Sequence, residues 1–93
     1  MNAKIAFNRS GMLYSGVKEK EYNGNPTYTI SFTDPLTGDY MFFGCNKQIA
    51  DYAQQKAEKG IKSFDISCTV SSYNKKDKPD QFGGWSCKVF NIN

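Results

Sequence analysis

The sequence predicts a mainly β fold: a five-stranded Greek-key barrel with one helix between the third and fourth strands. Three observations carry this. Thr27 to Thr33 and Asp39 to Cys45 alternate around a turn, as a hairpin does. Lys47 to Lys59 is a run of helix formers. Two further alternating runs, Ser63 to Ser72 and Trp85 to Ile92, follow the helix.

Lys4 to Phe7 reads as a short strand or a lead-in. Met12 to Val17 reads as a strand with Leu13, Ser15 and Val17 on one face and Met12 and Tyr14 on the other. Gly11 and Gly16 accompany it, and glycine in or beside a strand suggests a bulge or sharp bend. In a small barrel the first strand must bend to serve both halves of the sheet. Lys18 to Pro26 is polar and charged and ends in Asn-Gly-Asn-Pro, a loop signal.

The hairpin turns at Asp34-Pro35-Leu36-Thr37-Gly38-Asp39, which fits a type I turn with Gly38 in the left-handed region. If Asp34 faces Asp39, then Phe32 faces Met41, Ile30 faces Phe43 and Tyr28 faces Cys45. Those six residues form core. Tyr40 and Phe42 then lie on the other face among Thr29, Ser31 and Thr33. A slip by one residue would exchange the two sets on the third strand.

Asn46 is placed as a helix N-cap and Gly60 as the stop. Ile49, Tyr52, Ala53 and Ala57 fall near helical spacing, so the helix can plug one end of the barrel. Phe64, Ile66, Cys68 and Val70 alternate with polar residues in the next strand, the clearest half-buried strand in the chain. A charged loop, Asn74 to Gly84, leads to the last strand, with Cys87 and Val89 in register for the core.

The order strand, strand, strand, helix, strand, strand is that of a barrel of the oligonucleotide/oligosaccharide-binding (OB) type. A ubiquitin-like grasp, with its helix after two strands, requires that Met12 to Val17 not be a separate strand.

Length and composition bound the function. The 93 residues suit one domain over residues 1–93. With 15% aromatics and few core aliphatics, rings must build much of the interior. The three cysteines have no short spacing, which argues against a disulfide framework or a zinc site and for buried thiols. Histidine is absent, which removes the usual general base and metal ligand. No acidic pair has a diagnostic spacing, so neither an enzyme nor a cofactor is expected. The net charge of +3 is mildly basic. No apolar run approaches membrane-spanning length and no segment resembles a signal peptide, so a cytoplasmic protein with no membrane partner is expected.

The stretches SGVKEKEYNGNPTYTISFTDPLTGDYMFFGC, KSFDISCTVSSY and GGWSCKVFNI, with a short helix and a basic loop between them, resemble small OB-fold single-stranded DNA-binding proteins of phages and mobile elements. The likeness lies in pattern and element order and covers nearly the whole chain. It implies sequence-independent binding and protection of single-stranded DNA in phage or plasmid replication or transfer. It also implies a groove built from the second and third strands and the loops joining strands one to two and four to five. The chain departs from cellular bacterial members in ending at Phe90-Asn91-Ile92-Asn93 without an acidic tail, so tail-mediated recruitment of other enzymes is not expected.

Single-strand binding needs stacking surfaces and cations along the backbone. The candidate platforms are Tyr40 and Phe42 on the hairpin, Tyr14 on the neighbouring strand, Tyr22 in the first long loop, and Tyr73 and Trp85 flanking the basic loop. The candidate phosphate contacts are Lys18 and Lys20, with Glu19 and Glu21 opposing them, and Lys75, Lys76 and Lys78. Lys4 and Arg9 could extend the track. The partner expected is single-stranded DNA, with RNA left open, and a homodimer or cooperative assembly suits so small a chain. A protein-interaction module, such as a viral inhibitor of a host factor, is the other reading; there the exposed rings would anchor an interface.

Overall fold

The structure, a computed structural model, describes residues 4–93; residues 1–3 of the expected domain lie outside the described residues. Five strands and one helix follow in the order β1 (Lys4–Tyr22), β2 (Asn25–Thr33), β3 (Tyr40–Cys45), α1 (Lys47–Glu58), β4 (Ser63–Asn74) and β5 (Phe82–Ile92). The strands form one closed sheet in the order β1-β2-β3-β5-β4. Three strands precede the helix, so the two-strand requirement of a ubiquitin-like grasp is not met.

β1 is longer than the sequence reading allowed. Its first half pairs with β4, from Lys4 opposite Ser71 to Leu13 opposite Ser63. Its second half pairs with β2, from Leu13 opposite Thr33 to Tyr22 opposite Asn25. The expected bend is present as two breaks in register, between Arg9 and Met12 and between Tyr14 and Gly16. Gly11 (φ 65°) and Gly16 (φ 149°) sit at these breaks in conformations that a side chain would strain.

Two readings of β1 are corrected. Lys18 to Pro26 is not a long loop but the end of an antiparallel ribbon, closed by Asn23 (φ 50°) and Gly24 (φ 82°). Asn-Gly supplies the two positive φ values of a tight hairpin turn. The ribbon's exposed flanks carry charge on both faces, so polarity alone made it look like loop. The second correction concerns faces. The break after Tyr14 leaves Ser15 as an extra residue and reverses the alternation beyond it. Val17 therefore packs on the core with Met12 and Tyr14, while Leu13 stays exposed.

The β2–β3 hairpin has the register expected from its turn. Asp34 N–H donates to the Asp39 carbonyl at 2.9 Å, and Phe32 faces Met41, Ile30 faces Phe43 and Tyr28 faces Cys45. The Asp34 carboxylate accepts from Leu36 N–H at 2.9 Å, and Gly38 takes φ 79°. Ile30, Phe32 and Phe43 are buried in the core, and Met41 and Cys45 are half-buried against it; Tyr28, expected in the core, is half-buried but stands outside that cluster, with its hydroxyl bonded to Glu19.

Asn46 caps α1, its side-chain oxygen accepting from Ile49 N–H at 2.9 Å. Ile49, Ala50 and Ala53 are buried, and Tyr52 lies edge-on to Phe64 at 6.2 Å. The helix packs against β1, β2 and β5. β4 contributes Phe64, Ile66 and Cys68 to the core, and β5 contributes Val89 and Ile92, with Cys87 half-buried beside them.

All three thiols are free. Burial, followed by the neighbouring Cys87, pushes the Cys68 thiol from its ordinary 9.0 up to about 11. A group whose folded pKa stands above its unfolded one favours folding while it stays protonated. That contribution is complete below about pH 8.5 and is lost as pH rises toward 11. Between these limits the wild type is expected to lose about 2–3 kcal/mol more stability than Cys68→Ala. Urea midpoints of both proteins across this window measure it, and parallel curves would show that the thiol does not titrate in this way.

Candidate nucleic-acid interface

Residues directly opposed in an antiparallel pair share a face of the sheet. The face opposite the core on β2 carries Thr27, Thr29, Ser31 and Thr33. Thr33 faces Tyr40 and Ser31 faces Phe42. On the other side Thr29 faces Lys18, Thr27 faces Lys20 and Asn25 faces Tyr22. One outer face of β1, β2 and β3 therefore holds Tyr40, Phe42, Lys18, Lys20 and Tyr22 over a bed of small hydroxylated residues. Ser15 and Thr33 hydroxyls lie 3.2 Å apart at its edge.

Tyr40 and Phe42 are 54% and 56% exposed. Their ring centroids are 4.7 Å apart, edge to face. Each thus keeps the other in place while offering open ring surface. The opposing charges that the sequence raised against Lys18 and Lys20 lie on the other side. Glu19 faces Tyr28 across the ribbon, and a hydrogen bond from the Tyr28 hydroxyl to Glu19 raises the phenol pKa. Glu21, two residues along, shares that face. The ribbon segregates its charges: ammonium groups on the side of the rings, carboxylates on the side away from them.

Tyr14 is placed differently. It was expected beside Tyr40 and Phe42 as a platform. It pairs with Phe32, and its ring meets Phe32 and Phe64 edge-on at 6.3 and 6.2 Å. Desolvation, then the nearby Cys45 thiol, raises its phenol pKa. The ring is a half-buried flank of the core, because Tyr14 lies on the Met12 side of β1 before the bulge.

The β4–β5 ribbon divides the aromatics that the sequence grouped. Tyr73 faces Gly84 and Trp85 faces Ser72, so Tyr73 and Trp85 lie on opposite faces. Trp85 is on the side of Val70 and Cys87 and makes an edge-to-face pair with Phe82 at 5.7 Å. Tyr73 lies against the glycine pair, where a Cβ on Gly83 would come within 2.8 Å of its ring. Gly83 and Gly84 are therefore strand residues that admit a ring at close range, not the end of the charged loop that the sequence suggests. Lys75, Lys76 and Lys78 are all exposed in the connecting loop. The loop is closed by Lys75 N–H to the Gln81 carbonyl at 3.0 Å and by the Asn74 amide to the Pro79 carbonyl at 2.8 Å.

Arg9 does not join a cation track; its guanidinium lies 3.6 Å from the buried Asp34 carboxylate at the hairpin turn. Two exposed residues of β5, Lys88 and Phe90, were not singled out from the sequence. Their signal was present: they fill the outward positions between and beyond Cys87 and Val89. Among the described residues no cluster of three or more His, Cys, Asp or Glu could hold a metal ion. In comparison with known proteins, no family model, no curated protein and no solved structure matches the chain.

Proposed function

We propose that this chain is an OB-fold protein that binds single-stranded DNA without sequence preference, acting in the cytoplasm in phage or plasmid replication or transfer. The observation that carries the reading is the segregated face: two exposed rings in mutual contact, with Lys18, Lys20 and Tyr22 following at successive outward positions along the same face of the β1–β2 ribbon and the intervening glutamates turned away. Flat, sequence-tolerant stacking and a cation track are what an unpaired strand requires. The strand order supports an OB barrel. β1 is bent and shared by both halves of the sheet, β3 meets β5 in parallel, and the helix connects β3 to β4. Binding coats the strand and melts transient hairpins, because stacking and counterion release favour the unpaired state. Cooperative or dimeric assembly on the strand extends the coverage of so small a protein.

The test is a salt titration with poly-dT, with duplex DNA and RNA of equal length alongside. Three to five phosphate contacts give a log–log slope of about −2 to −3.5, at about −0.7 per contact. Duplex binds much more weakly, since it offers no unstacked bases. Changing Lys75, Lys76 and Lys78 together to Gln lowers the affinity and flattens the slope, leaving the thermal midpoint unchanged. A wild-type slope near zero, or equal affinity for duplex, would remove this mechanism. An unaltered slope in the triple variant would leave the β4–β5 loop as a solvated tip. Equal or tighter binding of RNA would assign the face to RNA, and tight binding to a host protein with none to oligonucleotides would favour the interaction-module reading.

A further inference from the structure

A groove of about 740 Å³ opens beside the Gly44–Lys88 pairing that joins β3 to β5. All five strands contribute to its lining, yet Lys18, Lys20, Tyr22, Tyr40 and Phe42 do not. The charged residues in its lining are basic. Lys4 and Lys88 bring two ammonium groups, and the lining residues include no Asp or Glu. Phe90 supplies an aromatic wall and is 56% exposed.

The exposure of Phe90 is built into the strand. Val89 faces Cys68 and Asn91 faces Ser67, so Phe90 is an extra residue with no partner on β4. Such a bulge re-aims a side chain at the expense of the ladder. It leaves Val89 and Ile92 buried on either side while Phe90 stands out.

The groove also continues the face proposed to bind single strands. Gly44 follows Phe42 on the same side of β3, two residues or about 7 Å further on. Thr27 belongs both to that face and to the groove lining. At Gly44 the row Tyr40, Phe42 loses its side chain, leaving bare backbone next to Lys88.

We propose that this groove is a second nucleotide subsite, holding a base against Phe90 and backbone phosphate at Lys88 and Lys4, on the same single strand that crosses Tyr40 and Phe42. It rests on the single-strand reading of that face. A flat apolar group carrying a negative charge matches Phe90 with Lys4 and Lys88; Glu19, hydrogen-bonded to the lining Tyr28, is the opposing charge that these two ammonium groups outweigh.

The experiment is affinity against length for oligo-dT from about 4 to about 16 nucleotides, a span that brackets the site sizes of such barrels. Wild type, Phe90→Ala and Lys88→Gln are compared, each with its thermal midpoint. Both side chains are exposed, so both variants are expected to fold normally. The shortest oligonucleotides should bind all three proteins alike. With length the wild type gains affinity, and Phe90→Ala falls behind by about 5- to 150-fold, the range for loss of one stacked base. Lys88→Gln falls behind as well, and its salt slope drops by about 0.7. Variants that match the wild type at every length overturn the subsite and leave the Tyr40–Phe42 face standing. An equal deficit at every length, the shortest included, also overturns it, because the groove would then not be an extension. Wild-type protein that binds no oligonucleotide of any length overturns both.

Discussion

Phe43→Ala is expected to cost about 3–5 kcal/mol of stability, while Phe42→Ala, one residue away, costs no more than about 1.5 kcal/mol. Phe43 is 5% exposed, faces the fully buried Ile30 and lies 6.2 Å from the Phe32 ring. Truncation removes its transfer free energy and leaves a cavity that the closed sheet cannot collapse to fill. For a domain with a typical stability of about 5–15 kcal/mol, that is a large fraction of the whole. Phe42 gives up only its edge-to-face contact with Tyr40, since it is already 56% exposed. Urea unfolding of both variants, followed by circular dichroism, makes the comparison. Should Phe43→Ala fail to fold, Phe43→Leu retains most of the buried volume and gives a measurable midpoint. If Phe42→Ala proves the more destabilising, the two faces of β3 have been exchanged.

The hairpin register was legible because turn chemistry and alternation act together there. Asp34 and Gly38 fix the turn, the turn fixes which residues oppose, and the period of two then sorts Phe43 inward and Phe42 outward. The helix was legible for a similar reason: the Asn46 cap and Gly60 act within a few residues of themselves. β1 is less legible. Its charged end gave no apolar alternation, and the Ser15 bulge reversed the alternation that was visible, which moved Val17 and left Tyr14 on the core side. A bulge is decided by the partner strand, and local sequence does not state it.

The candidate site was legible in its residues more than in its arrangement. In sequence Lys18, Lys20 and Tyr22 lie in a loop-like stretch interleaved with Glu19 and Glu21. Only the pairing of β1 with β2 places the two sets on opposite faces. Trp85 and Tyr73 were grouped because both flank the basic loop, yet the ladder sends them to different sides. Lys88 and Phe90 occupy the outward positions of β5, whose alternation marks Cys87 and Val89 as core but says nothing of what the outward residues meet. The contact between β3 and β5 joins residues distant in sequence through one pair, and no local pattern announces it.

Tyr40→Ala combined with Phe42→Ala is expected to lower oligo-dT affinity by about 30- to 10⁴-fold, with native circular dichroism retained. Loss of one stacked base costs about 1–3 kcal/mol, and two platforms set the upper end. The effects of the single changes will not add, because each ring braces the other at 4.7 Å. Removing either loosens its neighbour, so each single variant already forfeits part of what the double variant loses. Conservative variants sharpen the test. Tyr40→Phe keeps the ring and should bind as the wild type does, whereas Phe42→Leu keeps apolar bulk and should not. Charge serves as the control: the salt slope of the double variant should stay near that of the wild type, since Lys18 and Lys20 remain. Fluorescence anisotropy with labelled oligo-dT at several salt concentrations measures both quantities. A double variant that binds with undiminished affinity would remove Tyr40 and Phe42 from the interface, and a slope collapsing together with the affinity would mean that the rings position the lysines instead of carrying bases.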